Sequence, residues 1–257
     1  MNGMSREVPS VEPPHSQETA RIVEAMLADG PPDAALLSLF AELAASPTRR
    51  DAQAQLREQD WANLGRYQSA NAALIAADRR PDLVLIGNSI TEIWPFADPD
   101  FFIASRVGRG IAGQTSPQTL LRFQADVVAL RPKAVHLMCG TNDIAGNTGP
   151  TTPYRFQCNV KAMTMLAAAN GIHVYLASIP PITSLMWQPE VAAQPWVREL
   201  NDWLNDWAAE HGHTYVDYHG AMADAIGNLR PEFSRDGVHP NRRGYAAMRR
   251  VLEPLLG

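Results

Sequence analysis

The chain has 257 residues, of which 46% are hydrophobic and 19% charged, and its net charge is -5. That length carries one large domain, or one domain with a small appendage, and the composition is that of a folded globular chain. No basic stripe points to nucleic acid, two cysteines (Cys139 and Cys158) make neither a disulfide framework nor a metal-ligand spacing, and no run approaches the roughly 18 apolar residues of a membrane span.

In chain order, residues 1–15 are polar and Pro-rich and read as a disordered tail. Met1 to Gln17 lacks a basic head followed by an apolar stretch, so no signal peptide is expected and the cytoplasm is favoured. A leader removed beforehand would leave the same sequence on a periplasmic or secreted protein. Residues 16–78 read as a helical extension. Ile22, Val23, Met26 and Leu27 lie at helical spacing, and Gly30-Pro31-Pro32 stops them. Leu36, Leu37, Phe40 and Leu43 predict a second amphipathic helix ending near Ser46-Pro47. A longer helix is predicted over 48–77, with Leu56, Trp61, Leu64 and Tyr67 as its buried residues.

From residue 79 the pattern changes. Short apolar runs at Leu83–Ile86, Ile103–Val107, Ala134–Cys139, Ile172–Ala177 and Thr214–Val216 alternate with helical patterns at about 117–130, 153–170, 190–211 and 241–255. Near-continuous apolar strands separated by helices predict an α/β fold, a parallel sheet covered on both faces. Cys139, inside such a run, reads as a small buried hydrophobe. An open sheet of this kind places its ligand at the carboxyl ends of the strands.

Polar clusters stand at those ends. Gly87-Asn88-Ser89 follows the first strand, Gly108 to Thr115 the second, and Gly140-Thr141-Asn142-Asp143 the third. Asp236-Gly237-Val238-His239-Pro240-Asn241 leads into the last helix. Acyl transfer needs a nucleophile, a base, a group that orients the base, and donors for an oxyanion. Ser89, at a strand-to-helix turn, suits the first role and His239 the second. Asp236, three residues before His239, can fix its tautomer. The backbone N–H groups of Ser89 and Gly113 and the amide of Asn142 can serve the oxyanion. Gly110 is the rival of Gly113, and a glycine suits the position because backbone must approach the substrate closely. The bland reading of each is a cap or turn residue; the order of all four clusters outweighs it.

That order resembles the SGNH hydrolase superfamily, the GDSL-type esterases and lipases, over roughly residues 82–256. The blocks are Ser89 in Gly-Asn-Ser-Ile, Gly113 in Ile-Ala-Gly-Gln-Thr, Asn142 in Gly-Thr-Asn-Asp, and Asp236 with His239 in Asp-Gly-Val-His-Pro. The resemblance implies a flavodoxin-like three-layer α/β/α sandwich on a five-stranded, mostly parallel sheet, within a hydrolase domain at 79–257. It also implies carboxylic ester hydrolysis through an acyl-enzyme without metal or cofactor. One departure is visible: Asn88 stands where the family name has Asp.

Further residues are candidates for substrate contact. Trp94, Phe96 and Trp187 are read as loop aromatics that could line the pocket, and Arg109 as a loop residue that could hold a carboxylate or phosphate. The loop from Ile182 to Trp196 is the candidate substrate wall, whereas Trp203 and Trp207 read as packing residues, and His136, His173, His211 and His213 as non-catalytic. The absence of a long apolar lid favours short-acyl esters, such as acetylated carbohydrates. The alternatives are a lysophospholipase or thioesterase, an acyltransferase with the same triad, and a non-catalytic binding protein. The extension at 16–78 is expected to pack on the back of the sandwich; its rival readings are a homo-oligomer interface and a rim of the pocket.

Overall fold

The computed structural model describes residues 17–103 and 105–257, so the expected tail at 1–15 lies outside the described residues. The chain begins with α1 (Gln17–Leu27), α2 (Ala34–Ala45) and α3 (Pro47–Gln59). Asp33 caps α2 by accepting the Leu36 N–H at 2.8 Å, and Ser46 caps α3 by accepting that of Arg49 at 3.4 Å. Each thereby satisfies a helix-end donor that has no partner within the helix.

The long helix predicted over 48–77 is two helices. α3 stops at Gln59, and α4 (Gln68–Ala76) starts after an eight-residue turn. Turn chemistry overrides the apolar spacing there: the Asp60 carboxylate accepts the N–H groups of Leu64 and Gly65, and Asn63 takes a left-handed φ of 52°. The expected buried set fails with it. Leu56, Trp61 and Leu64 are exposed and only Tyr67 is buried.

The remaining strands and helices alternate. They are β1 (Leu83–Gly87), α5 (Ser89–Ala97), β2 (Arg106–Gly110), α6 (Ser116–Asp126), β3 (Ala134–Met138), α7 (Thr141–Ile144), α8 (Pro153–Ala169), β4 (His173–Ala177), α9 (Ala193–His211), β5 (Thr214–Val216), α10 (Tyr218–Met222) and α11 (Arg242–Leu252). The short helices α7 and α10 come in addition to the helical patterns read from the sequence. The five strands form one parallel sheet in the order β2-β1-β3-β4-β5. The period of two along each strand divides the core between the faces. Val84, Ile86, Val135 and Leu137 join one apolar cluster with residues of α6, α8 and α9. Leu83, Leu85, Ala134 and Met138 join another with residues of α1, α5 and α11. This is the three-layer α/β/α sandwich. The extension shares these cores, since Leu74 of α4 belongs to the first cluster and Val23, Met26 and Leu27 of α1 to the second.

The second strand is displaced from its predicted place. It runs through Gly108 and Gly110, and Ile103 is exposed. The glycines are there because α5 crosses close to the strand: a Cβ on Gly110 would stand 2.1 Å from the Glu92 backbone nitrogen, and one on Gly108 3.1 Å from Pro95. The last helix also ends earlier than predicted, at Leu252, leaving Leu255 exposed in a following 3-10 turn. Cys139 is buried and unbonded to Cys158, and Trp203 and Trp207 pack against the first cluster as expected.

Candidate active site

β1 lies between β2 and β3, with Gly87 level with Gly110 on one side and Met138 on the other. The loops that leave these three strand ends are therefore neighbours by topology. They carry Ser89, Gly113 and Asn142. At the start of α5, Asn88 is the cap and its side-chain oxygen accepts the Ile90 N–H at 3.0 Å. A neutral amide oxygen does this as an aspartate would, so the departure at Asn88 leaves the turn intact. Ser89 becomes the first residue of α5.

The Ser89 Oγ lies 2.9 Å from His239 Nε2, and His239 Nδ1 lies 2.6 Å from Asp236 Oδ2. A carboxylate facing Nδ1 holds the proton there and leaves Nε2 as the acceptor of the serine hydroxyl. The loop is wound tightly around Asp236, whose Oδ1 accepts the N–H groups of Val238 and His239 and the Ser234 hydroxyl. Burial alone would raise the Asp236 pKa. The facing His239 and these hydrogen bonds outweigh it and bring the pKa down to about 2.

The donors are organised from below. Gly113 has a φ of 77°, which a side chain would strain. The Asn142 Nδ2 donates to the Gln114 carbonyl at 2.9 Å. Asn147, which the sequence did not single out, donates from Nδ2 to Asn142 Oδ1 at 3.0 Å and to the Gly113 carbonyl at 3.2 Å. Its Oδ1 accepts the indole N–H of Trp187 at 3.0 Å. In sequence it is one more loop asparagine between two glycines, without a distinguishing signal. Asp143 joins two of the blocks in the same way, accepting the Ser116 N–H at 2.9 Å and hydroxyl at 2.5 Å. Its burial pushes the pKa up to about 6, against the pull of these bonds.

The substrate candidates divide. Trp187 is partly exposed, with its ring 6.4 Å from that of His239. Trp94 is not a loop residue. It lies in α5, fully buried, stacked on Phe101 at 5.4 Å and packed against Tyr218 and Tyr245, so no substrate reaches it. Arg109 is also not on a loop. It is buried within β2, donates to Asn71 Oδ1 and the Gly108 carbonyl, and lies over the Tyr67 ring. Those contacts direct it into the fold. His136 is buried and bonded to the Tyr218 hydroxyl, as a core histidine.

Ser89, His239, Gly113 and Asn142 open into a cavity of about 1010 Å³. The loop expected as the substrate wall supplies Met186 and Trp187, and Phe96 also lines it. The opposite wall is the helical extension, through Ile22, Met26, Phe40, Leu43 and Leu56. The α1–α3 part of the extension thus forms a rim of the cavity, while Leu74 of α4 packs in the first cluster. α1 packs beside α5 because both bury apolar residues in the same cluster, and α5 begins with Ser89.

A family model for GDSL-like lipases and acylhydrolases matches residues 85–247. A GDSL-like lipase from Bacteroides thetaiotaomicron is 37% identical, with a TM-score of 0.73, covering 77% of this chain and 98% of its own. A candidate acylhydrolase from Bacteroides fragilis is 39% identical, again with a TM-score of 0.73, over 77% and 97%. An acetylxylan esterase from Geobacillus stearothermophilus shares the fold at 19% identity and a TM-score of 0.56, over 68% and 93%. The chain also matches an N-acylneuraminate cytidylyltransferase from Escherichia coli at 21% identity over 182 residues, and spans 41% of that relative's length. With the family matched across the sheet and its site loops, the chain belongs to the GDSL-like lipase/acylhydrolase family of ester hydrolases.

Proposed function

We propose that the protein is a serine esterase that cleaves carboxylic esters through an acyl-enzyme, with Ser89 as nucleophile. The observation that carries this is the run of contacts from Ser89 Oγ through His239 to Asp236, at 2.9 and 2.6 Å. His239 Nε2 takes the serine proton as Oγ attacks the ester carbonyl. The tetrahedral oxyanion lies against the N–H groups of Ser89 and Gly113 and the amide of Asn142. On collapse the C–O bond breaks, and His239 returns the proton to the leaving alcohol. Water then repeats the sequence on the acyl-enzyme and releases the acid.

A fluorophosphonate probe tests the assignment. It is expected to label Ser89 stoichiometrically, and Ser89→Ala is expected to cut hydrolysis of p-nitrophenyl acetate by about 10⁴-fold or more. Label at another residue, or wild-type rates in the variant, would sink it.

The acyl group is a finer question. The absence of a long apolar lid in the sequence favours acetyl esters, including acetylated sugars. The apolar wall that α1 and α2 give to the cavity of about 1010 Å³ favours a longer, apolar acyl group. A p-nitrophenyl ester series from acetate to dodecanoate separates the two. A maximum in kcat/KM at acetate supports the acetylesterase, and a maximum at longer chains supports the lined cavity.

A further inference from the structure

The wall that α3 gives to the cavity is of opposite sign to the protein. Arg49, Arg50 and Arg57 line it, with Gln53 and Leu56 between them, all on one face of α3. Arg66, from the turn after α3, lines it too. Among the described residues, the carboxylates that line the cavity are Glu92 and Asp236, and both have partners of their own. Asp236 is turned to His239, and Glu92 accepts the Ala112 N–H at 2.7 Å and lies 3.6 Å from Arg66. Among the described residues of this chain of net charge -5, arginines thus outnumber carboxylates around the cavity.

Helix stability accounts for Arg57, in the last turn where the dipole favours a cation, but not for the other two arginines of α3. Arg49 and Arg50 occupy the first turn of α3, where the helix dipole disfavours cations and where there is no acidic residue. α3 buries none of its residues, so Arg50 and Arg57 are exposed and their stems stabilise no core. What the arginines do face is a space whose adjoining walls, α1 and α2, are apolar. Guanidinium groups beside an apolar wall suit a ligand that is itself divided into a chain and an anion.

We propose that α1–α3 form a recognition half-site for anionic amphiphilic esters, in which the apolar part lies along α1 and α2 and a carboxylate or phosphate meets Arg50 and Arg57 of α3. The proposal rests on the esterase reading for the reaction, and adds the substrate class. The charge selects the substrate, and the chemistry at Ser89 is that of any ester.

Two measurements test it. The first compares p-nitrophenyl dodecanoate with the mono-p-nitrophenyl ester of dodecanedioic acid, which has the same chain and a terminal carboxylate. Wild type is expected to prefer the anionic ester by about tenfold or more in kcat/KM, chiefly through KM. In Arg50→Ala/Arg57→Ala that ratio is expected to fall toward one, and a ratio within one protein is insensitive to its folded fraction. Equal turnover of both esters by wild type, or an unchanged ratio in the double variant, would overturn the proposal. The second measurement needs no turnover: calorimetric binding of dodecanoate to wild type and double variant, with binding in the variant expected to be about tenfold weaker. Equal binding overturns the half-site. Tight, arginine-dependent binding without hydrolysis of any ester would leave the half-site standing and remove the esterase reading instead.

Discussion

Arg235 Nη2 lies 2.7 Å from Asp33 Oδ2, joining the residue next to Asp236 to the cap of α2. The same guanidinium donates to the carbonyls of Ala25 and Pro31, and the arginine side chain is 7% exposed. One side chain therefore ties the Asp–His loop to both α1 and the segment between α1 and α2. Arg235→Ala is expected to cost about 1–3 kcal/mol, because two backbone carbonyls and a carboxylate lose a donor. Amide exchange is expected to accelerate first in 17–45. A urea midpoint unchanged from wild type, with α1 amides equally protected, would show that the tie is idle.

Two carboxylates give the stability opposite pH dependences. The Asp236 pKa is depressed to about 2, below the usual 3.8, so it stabilises the fold above about pH 4, and that contribution is lost as pH falls toward 2. The Asp143 pKa is raised to about 6, so the fold is favoured while Asp143 is protonated, and this is lost as pH rises through 6. The Asp143 effect is roughly 3 kcal/mol between its limits. Urea unfolding at pH 5 and pH 7.5 is expected to show wild type weaker at the higher pH, and Asp143→Asn to remove most of that difference. The same pH difference in both proteins would contradict the assignment.

Asn147 acts through Asn142 and Gly113, so it is a positioning residue. Asn147→Ala is expected to lower kcat for p-nitrophenyl acetate about tenfold while KM changes little, since the donors matter most when the oxyanion forms. An effect confined to KM would mean instead that Asn147 serves the substrate through Trp187.

The two tryptophans should separate in experiment. Trp94→Ala opens a void in an aromatic core and is expected to cost about 3–5 kcal/mol, with KM unchanged in the molecules that remain folded. Trp187→Ala is expected to move KM while thermal stability stays within about 0.5 kcal/mol. The reverse pattern would restore Trp94 as a substrate residue.

The sheet was legible in the sequence because it rests on local signals, and so was the order of the candidate site residues. Strands such as Ala134–Met138 are short apolar runs, and Ser89, Gly113, Asn142, Asp236 and His239 stand at their ends in a fixed order. Trp94 and Arg109 were misplaced because a side chain's direction depends on where its element starts. Once Asn88 caps α5 and β2 extends to Gly110, neither residue is on a loop. Asn147 and the α1–α3 wall were illegible for another reason. Both depend on contacts between distant segments, and neither composition nor periodicity records which face of the sheet an appended helix covers.

α3 has no buried residue, whereas Ser89, Gly113 and Asn142 follow three adjacent hydrogen-bonded strands, β1 and β3 inside the sheet and β2 at its edge. The two halves of the cavity therefore belong to different cooperative units. Local opening of α3 draws on little buried surface, while opening of the strand ends breaks hydrogen bonds of the sheet and exposes its core. On heating, selectivity among esters is expected to melt before the capacity to cleave them does. Over that interval the enzyme would keep its reaction and lose its discrimination.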